Sequence, residues 1–330
     1  MADIALTENI AVTSRATALR RFGRSDATFR FLTRGAALII LALFVGIMLT
    51  LIAGSWLALS TYGWDFLATS SWNPVTERFG AFPAIYGTLV SSAIAMFIAL
   101  PLGIGIAIFL TEICPRSLKR PIGIAIELLA GIPSIIYGIW GLFVFAPYFQ
   151  THIQQHVIDF FANVPVLQDL FAGPPYGIGM FTAGLILAIM VLPFIASVTR
   201  DVFETAPPML KEAAYGTGCT TWEVMWRIVL PFTQSGVVGG AMLALGRALG
   251  ETMAVTFVIG NSHHIDSSLF APATTISATI ANEFAEALGN KYPSALIACG
   301  LILMGLTFTV LAAAQLMLRG FERRAGGKQS

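Results

Sequence analysis

Charge is what this 330-residue chain has least of: Asp, Glu, Lys and Arg make up 11% of it, against 56% apolar residues and a mean hydropathy of +0.77. Soluble domains carry about 25% charged residues, and a water-soluble particle of this size could not clothe itself with so few. The balance of 19 basic against 18 acidic residues leaves a net charge of +1, which lacks the basic excess of a nucleic-acid binder. Disorder is excluded by the same apolar content. Cysteine is scarce as well: Cys114, Cys219 and Cys299 have neither paired nor CxxC spacing, so no disulfide framework or thiolate metal cage is expected, and they read as small apolar fillers. No GxxxxGK[ST] phosphate loop occurs, so the chain does not cradle a nucleotide in that way.

Long apolar runs are what the chain does have. A hydrocarbon layer about 30 Å thick needs about 20 apolar residues per crossing helix. Six stretches qualify, at about 35–57, 83–111, 121–146, 177–199, 232–261 and 294–318. The expected fold is therefore an all-α polytopic membrane protein with six transmembrane helices. The first span, with no hydrophobic core before Gly35, is too long for a cleaved signal and reads as a retained anchor.

Lys and Arg set the orientation, because cytoplasmic segments hold an excess of them. Residues 1–34, 112–120, 200–231 and 319–330 carry sixteen; the alternate loops carry only Arg78 and Lys291. Both termini are expected to be cytoplasmic, with a cytoplasmic segment over 1–34, a six-helix transmembrane bundle over 35–318 that includes a cytoplasmic loop over 200–231, and a cytoplasmic tail over 319–330. The outer segments, about 58–82, 147–176 and 262–293, are longer than hairpins require. In the second, Phe149, Ile153, Val157, Phe160 and Val164 recur at helical spacing, which predicts an amphipathic helix. His152 with His156, and His263 with His264, lack a third ligand nearby, so no metal site is assigned to them.

The loop over 200–231 is the most informative stretch. Glu212, Ala213 and Ala214 begin a short helix that Gly216 and Gly218 break, and Thr220 with Glu223 forms a capping box for a second helix running toward Leu230 and Pro231. Two short helices joined by a glycine turn make a compact knob. From physics alone it suits two roles equally, a hairpin lying on the membrane surface with Trp222 and Trp226 as anchors, or a docking element.

Three charges fall inside predicted spans, where an ionisable group is costly and marks function by default. Arg247 sits near the midpoint of the fifth span, at the depth where transporters bind cargo. Glu251 lies one helical turn further on the same face, close enough to pair. The guanidinium fork suits a tetrahedral oxyanion, so Arg247 is expected to meet the anion while Glu251 holds and releases the guanidinium; simple neutralisation of Arg247 by Glu251 is the alternative. Glu127 precedes Gly131-Ile132-Pro133, where proline frees a backbone carbonyl, and is a candidate for gating or for snorkelling to the interface. Thr88, Ser91 and Ser92 either line a polar path or act as interhelical glue. Gly236, Gly240, Ala244, Ala248 and Thr252, at steps of four, read as a packing stripe.

The spacing of Glu212-Ala213-Ala214, Gly218, Ile228 and Leu230-Pro231 resembles the EAA-x3-G-x9-I-x-LP signature of permease subunits of binding-protein-dependent ABC importers, in the loop where that family carries it. PAIYGTLV at 83–90, IELLAGIPSIIYG at 126–138, RDVFE at 200–204 and GRALGETMA at 246–254 are similar to the permeases of phosphate importers. The resemblance implies a type I (MetI-like) importer fold in a bacterial inner membrane and a loop that docks on an ATPase through Glu212, Ala213, Ala214, Gly218, Ile228, Leu230 and Pro231. It also implies a PstA-like homologous permease, two PstB-like ATPases that use ATP and Mg2+, and a PstS-like phosphate-binding protein, with lipid around the bundle and no cofactor on this chain. Sulfate or molybdate would suit Arg247 as well; the choice of phosphate rests on the resemblance. A gradient-driven carrier would show inverted repeats with broken helices, and an intramembrane enzyme a Ser/His, Asp/Asp or HExxH arrangement; neither pattern is found in the sequence.

Overall fold

The computed structural model describes residues 2–162, 164 and 167–326, with side chains described over 28–316 apart from the same gaps. The flanking arginines at 15, 20, 21, 24, 319, 323 and 324 and Lys328 lie outside the described side chains. The chain divides into two units, 1–54 and 55–330. The first falls within one continuous helix, α1 (Ala2–Tyr62), whose apolar part is Thr28–Tyr62.

The second unit holds α2 (Phe82–Ile113), α3 (Arg116–Ala130), α4 (Ser134–Phe161), α5 (Met180–Glu204), α6 (Pro208–Gly216), α7 (Thr221–Leu249), α8 (Met253–Val258), α9 (Ile276–Glu283) and α10 (Lys291–Gly326). Among the described residues five helices are long and apolar enough to cross a membrane, and the bent pair α3 with α4 brings the number to six.

The centre of the bundle is α5, whose window is the most buried of the candidate spans. Ile186, Leu187, Val191 and Ile195 form the main core with Ala95 and Ala99 of α2, Ala244 and Ala248 of α7, and Val255 and Val258 of α8. Without a hydrophobic drive between helices in lipid, close approach of small residues supplies the packing. The stripe on α7 does this: a Cβ at Gly236 would meet Val202 and one at Gly240 would meet Val198. Gly103 likewise receives Ile195, and Gly184 receives Ile94.

Two predicted spans are not single helices. The stretch expected at 121–146 breaks at Gly131-Ile132-Pro133, where α3 turns by 86° into α4. Pro133 has no N–H to bond Leu129, and proline disfavours the α conformation at Ile132. Leu129 O accepts from the Tyr137 hydroxyl at 2.9 Å, alongside a longer bond from Ile132 N at 3.3 Å. Beyond the break α4 continues to Phe161 through two wide π turns, so the amphipathic helix expected over 149–164 is the outer part of this same helix; Phe149 is buried among Phe145, Phe181 and Phe270, whereas Phe160 is exposed. The stretch expected at 232–261 instead starts at Thr221, ends at Leu249 and resumes as α8 after Gly250-Glu251-Thr252.

At the N-terminal end of α2, Glu283 of α9 gathers a polar cluster. Its carboxylate accepts from Trp72 Nε1 (2.6 Å) and Tyr292 Oη (2.6 Å), and it lies 2.8 Å from His263 Nε2, whose ring stacks on Trp72. Burial pushes the Glu283 carboxyl up, but the bonds from His263, Tyr292 and Trp72 outweigh it and hold the group below its ordinary value. A depressed carboxylate contributes stability above its unfolded value that is lost as pH falls through the folded one. Thermal unfolding in detergent is therefore expected to show a decline below about pH 4.5 that is shallower in Glu283→Gln; identical acid slopes would refute this role.

Candidate functional site: a charged break between helices and a surface hairpin

Arg247 lies in the last turn of α7, where a cation complements the exposed carbonyls of the helix end. It is not at the middle of its own helix, because α7 begins eleven residues earlier than expected. The pairs Gly236 with Val202 and Gly240 with Val198 run antiparallel in steps of four. Continuing that register sets Arg247 level with Val191, near the middle of α5. The level of Arg247 along the bundle is set by packing against α5, not by its place in its own helix.

The expected pairing of Arg247 with Glu251 is not formed. The helix stops at Gly250, so the one-turn spacing no longer puts both groups on one face. Glu251 Oε1 instead accepts from Ala254 N at 3.3 Å, where a negative charge suits the N-terminus of α8. Arg247 is exposed and, among the described residues, has no ion pair and no hydrogen bond. It lies within electrostatic reach of Tyr137.

The two helix breaks face each other. A Cβ at Gly138 would meet Phe257, Met253 O and Ala254 Cα, so α4 just past its break runs against α8 just past its own. Tyr137, which closes the first break, and Arg247, which precedes the second, therefore belong to one junction. Broken helices at mid-depth present helix ends and freed backbone groups to a cargo.

The remaining path residues are placed differently. Thr88 and Ser91 are 1% exposed. Thr88 Oγ1 donates to Ala84 O and accepts from Ile276 N, fastening α9 to α2, while Ser91 Oγ donates to Gly87 O. Both serve packing in this conformation. Ser92 Oγ, equally buried, has no hydrogen-bond partner among the described residues and borders an apolar cleft of about 410 Å³ between α2, α7 and α10. Glu127 is not within a straight span; it sits on α3, one turn before the break, and accepts from Arg200 at 2.7 Å. Gly123 leaves the room for that guanidinium, since a Cβ there would meet Arg200 Nη1 at 2.6 Å.

At the opposite end of α2 from Thr88, α6 and the start of α7 form the hairpin. Pro208 opens α6 at its first turn. Its end is a Schellman motif: Gly218 N donates to Tyr215 O, Cys219 N to Ala214 O, and Gly218 takes φ +89°. This is the physical need behind glycine at that point of the signature. Thr220 and Glu223 then form the predicted capping box. The second helix is not short; Met225–Val229 is a wide π turn after which Leu230 and Pro231 continue into α7, because a proline in the first turn after such a bulge has no N–H to leave unbonded.

The signature divides by face. Glu212 and Ala213 point outward with Met209 (78% exposed) and Trp222 (65%). Ala214 is buried, and Ile228 and Leu230 pack on a cluster with Phe203, Val224, Met225 and Val229. Ile228 and Leu230 therefore hold the hairpin, and the exposed face belongs to the EAA end. Sequence reading passed over Glu112, at the end of α2, which accepts from Lys211 Nζ at 2.6 Å and from Tyr215 Oη at 3.5 Å. A lone acid within the basic stretch 112–120 was the available signal.

Residues 99–323 match the family of binding-protein-dependent transport system inner membrane components. The chain belongs to that family. This permease is 64% identical over 313 residues to the phosphate transport system permease protein PstC of Mesorhizobium japonicum, covering 95% of this chain and 96% of that protein. It is 56% identical over 303 residues to PstC of Pasteurella multocida, covering 92% and 94%. Among solved structures, a chain of a bacterial alginate ABC transporter in complex with an alginate-bound periplasmic protein superposes with a TM-score of 0.59 at 19% identity, covering 90% of the permease and 97% of that chain. The MetNI methionine ABC transporter in an inward-facing form gives a TM-score of 0.52 at 17% identity over 73% of the permease and 94% of that chain. The fold is that of the MetI-like importer permeases, in a multi-pass component of a bacterial inner membrane whose family depends on a binding protein.

Proposed function

We propose that this chain is the phosphate-conducting permease subunit of an ATP-driven importer, forming half of the translocation path with a PstA-like permease. Two PstB-like ATPases would dock on the α6 hairpin and hydrolyse ATP with Mg2+, and a PstS-like protein would deliver phosphate at the opposite end. The chain itself performs no hydrolysis in this reading. The positive-inside count supports a cytoplasmic hairpin and cytoplasmic termini.

The observation that carries the reading, together with the 64% identity to a phosphate permease, is Arg247: an exposed guanidinium without an acidic partner among the described residues, level with the middle of the central helix. A charge left open at that depth is stabilised by an anion in transit. Glu251 is occupied as a cap, which leaves the fork open for cargo rather than neutralised. Ser92, with its free hydroxyl, is a second donor toward the path; Thr88 and Ser91 support it through packing, and Glu127 acts through Arg200.

The test is radiolabelled phosphate uptake in cells lacking their own high-affinity system, given this chain with its three partners. Uptake is expected to require ATP and all partners. Glu212→Lys is expected to remove the ATPase from the purified complex and abolish uptake while membrane levels stay normal, since the Glu212 side chain is exposed and makes no bond among the described residues. Uptake that needs neither partner nor ATP would replace this reading with a gradient-driven carrier. Competition of uptake by sulfate or molybdate more effectively than by unlabelled phosphate would assign a different oxyanion.

A further inference from the structure

The outward face of α6 explains contact with an ATPase but not how a push on that face reaches the cargo path. The hairpin's apolar contacts form one cluster, in which Ala214, Val224, Met225 and Val229 join Phe203 of α5 and Ala107 of α2, and such contacts are non-directional and allow sliding. Among the described residues, the side-chain polar link from α6 to the rest of the bundle is at Glu112, in the wide turn that closes α2. Its carboxylate is 10% exposed and the Lys211 side chain 19% exposed, so the 2.6 Å pair is largely withdrawn from water. A desolvated pair tolerates little displacement, because separation leaves uncompensated charge. Tyr215, four residues after Lys211 on the same face of α6, reaches the second carboxylate oxygen at 3.5 Å. Two points of attachment fix the rotation of α6 as well as its position.

The helix so gripped runs the length of the bundle. From Glu112, α2 passes Gly103 against Ile195 and Ile94 against Gly184, and at its far end Thr88 holds Ile276 N. Ser92, which borders the cleft beside Leu245 and Leu249 of α7, lies on it.

We infer that Glu112, Lys211 and Tyr215 form a strut that passes movement of the docking hairpin into α2, making them positioning residues for the coupling of ATP hydrolysis to transport. The inference rests on the reading of the α6 face as the ATPase contact. Neither Lys211 nor Glu112 touches the ATPase or the cargo in this scheme.

The experiment reconstitutes the whole transporter in proteoliposomes and measures ATP hydrolysed per phosphate transported, which does not depend on how much complex is active. Glu112→Gln and Lys211→Gln are expected to retain the bound ATPase and raise that ratio on the order of fivefold. The double exchange Glu112→Lys with Lys211→Glu is expected to return it toward wild type. An unchanged ratio, with hydrolysis and uptake falling together, would show a structural staple and overturn the strut, as would loss of the ATPase from Lys211→Gln. Should Glu112→Gln not reach the membrane, Lys211→Gln decides, because Lys211 is the more exposed member of the pair. If Glu212→Lys still holds its ATPase, the docking reading itself fails, whatever the ratio in the Glu112 variants.

Discussion

Replacing Arg247 by glutamine is expected to cut phosphate uptake on the order of 100-fold, the factor that follows when one member of a desolvated charge pair, worth about 2–5 kcal/mol, is removed. Membrane levels should be normal. Arg247 is exposed and has no acidic partner among the described residues, so the exchange removes no bond that holds the chain together. Arg247→Lys keeps the charge but replaces a bidentate fork by a point charge, and should fall between wild type and glutamine. Glu251→Gln separates the two roles assigned from the sequence: its amide oxygen can still accept from Ala254 N, so uptake is expected to survive if capping is its main work. Full uptake by Arg247→Gln at normal membrane levels would end the proposal that this guanidinium meets the anion.

Gly87→Ala is the second large effect, and it acts on the fold. A Cβ on Gly87 would fall well inside van der Waals contact of Thr274 O, a backbone atom rather than a yielding side chain. That carbonyl cannot retreat freely, because two residues later Ile276 N is tied to Thr88 Oγ1 on the same helix as the glycine. The cost should lie at or above the top of the ~1–3 kcal/mol range for overpacking, seen as a lower unfolding temperature in detergent and a poorer membrane yield. Gly105→Ala on the same helix is the control. Nothing lies within 4 Å of a Cβ there, so alanine should be neutral or stabilising by up to ~1 kcal/mol. Equal behaviour of the two variants would contradict the close contact between α2 and the strand of chain before α9.

The hairpin was the part of the site most open to reading from sequence. Its helix end and helix start are local motifs: glycine at the left-handed position after α6, then a threonine and a glutamate three apart. Each is decided by bonds within six residues, which a sequence displays directly. Which face would be exposed was less legible, since Ile228 and Leu230 share the signature with Glu212 yet point into the cluster around Phe203.

Mid-membrane charges were located by residue type but not by geometry. Arg247 and Glu251 were expected on one helix because composition stays apolar through 232–261. The chain nevertheless stops helical bonding at Gly250, where α8 turns away to lie against Gly138. Hydropathy reports the solvent a segment prefers and carries no information on whether its backbone remains continuous. For the same reason the 86° turn after Ala130 was missed as a break in a span, although Pro133 announced a lost hydrogen bond.

By itself the sequence determined that this is a helical membrane protein, which stretches are apolar enough to cross, in which alternate loops basic residues gather, and that a capped hairpin precedes the fifth apolar stretch. These follow from solvent preference and short-range bonding, both properties of neighbouring residues. Only the tertiary structure decided that two of the crossings are broken, that the breaks meet at Tyr137 and Arg247, that Glu251 caps α8 instead of pairing, and that Glu112 grips Lys211 from 99 residues away. Those choices depend on which distant group satisfies a freed carbonyl, fills the space beside a glycine or neutralises a buried charge. Such partners become neighbours only when the helices pack.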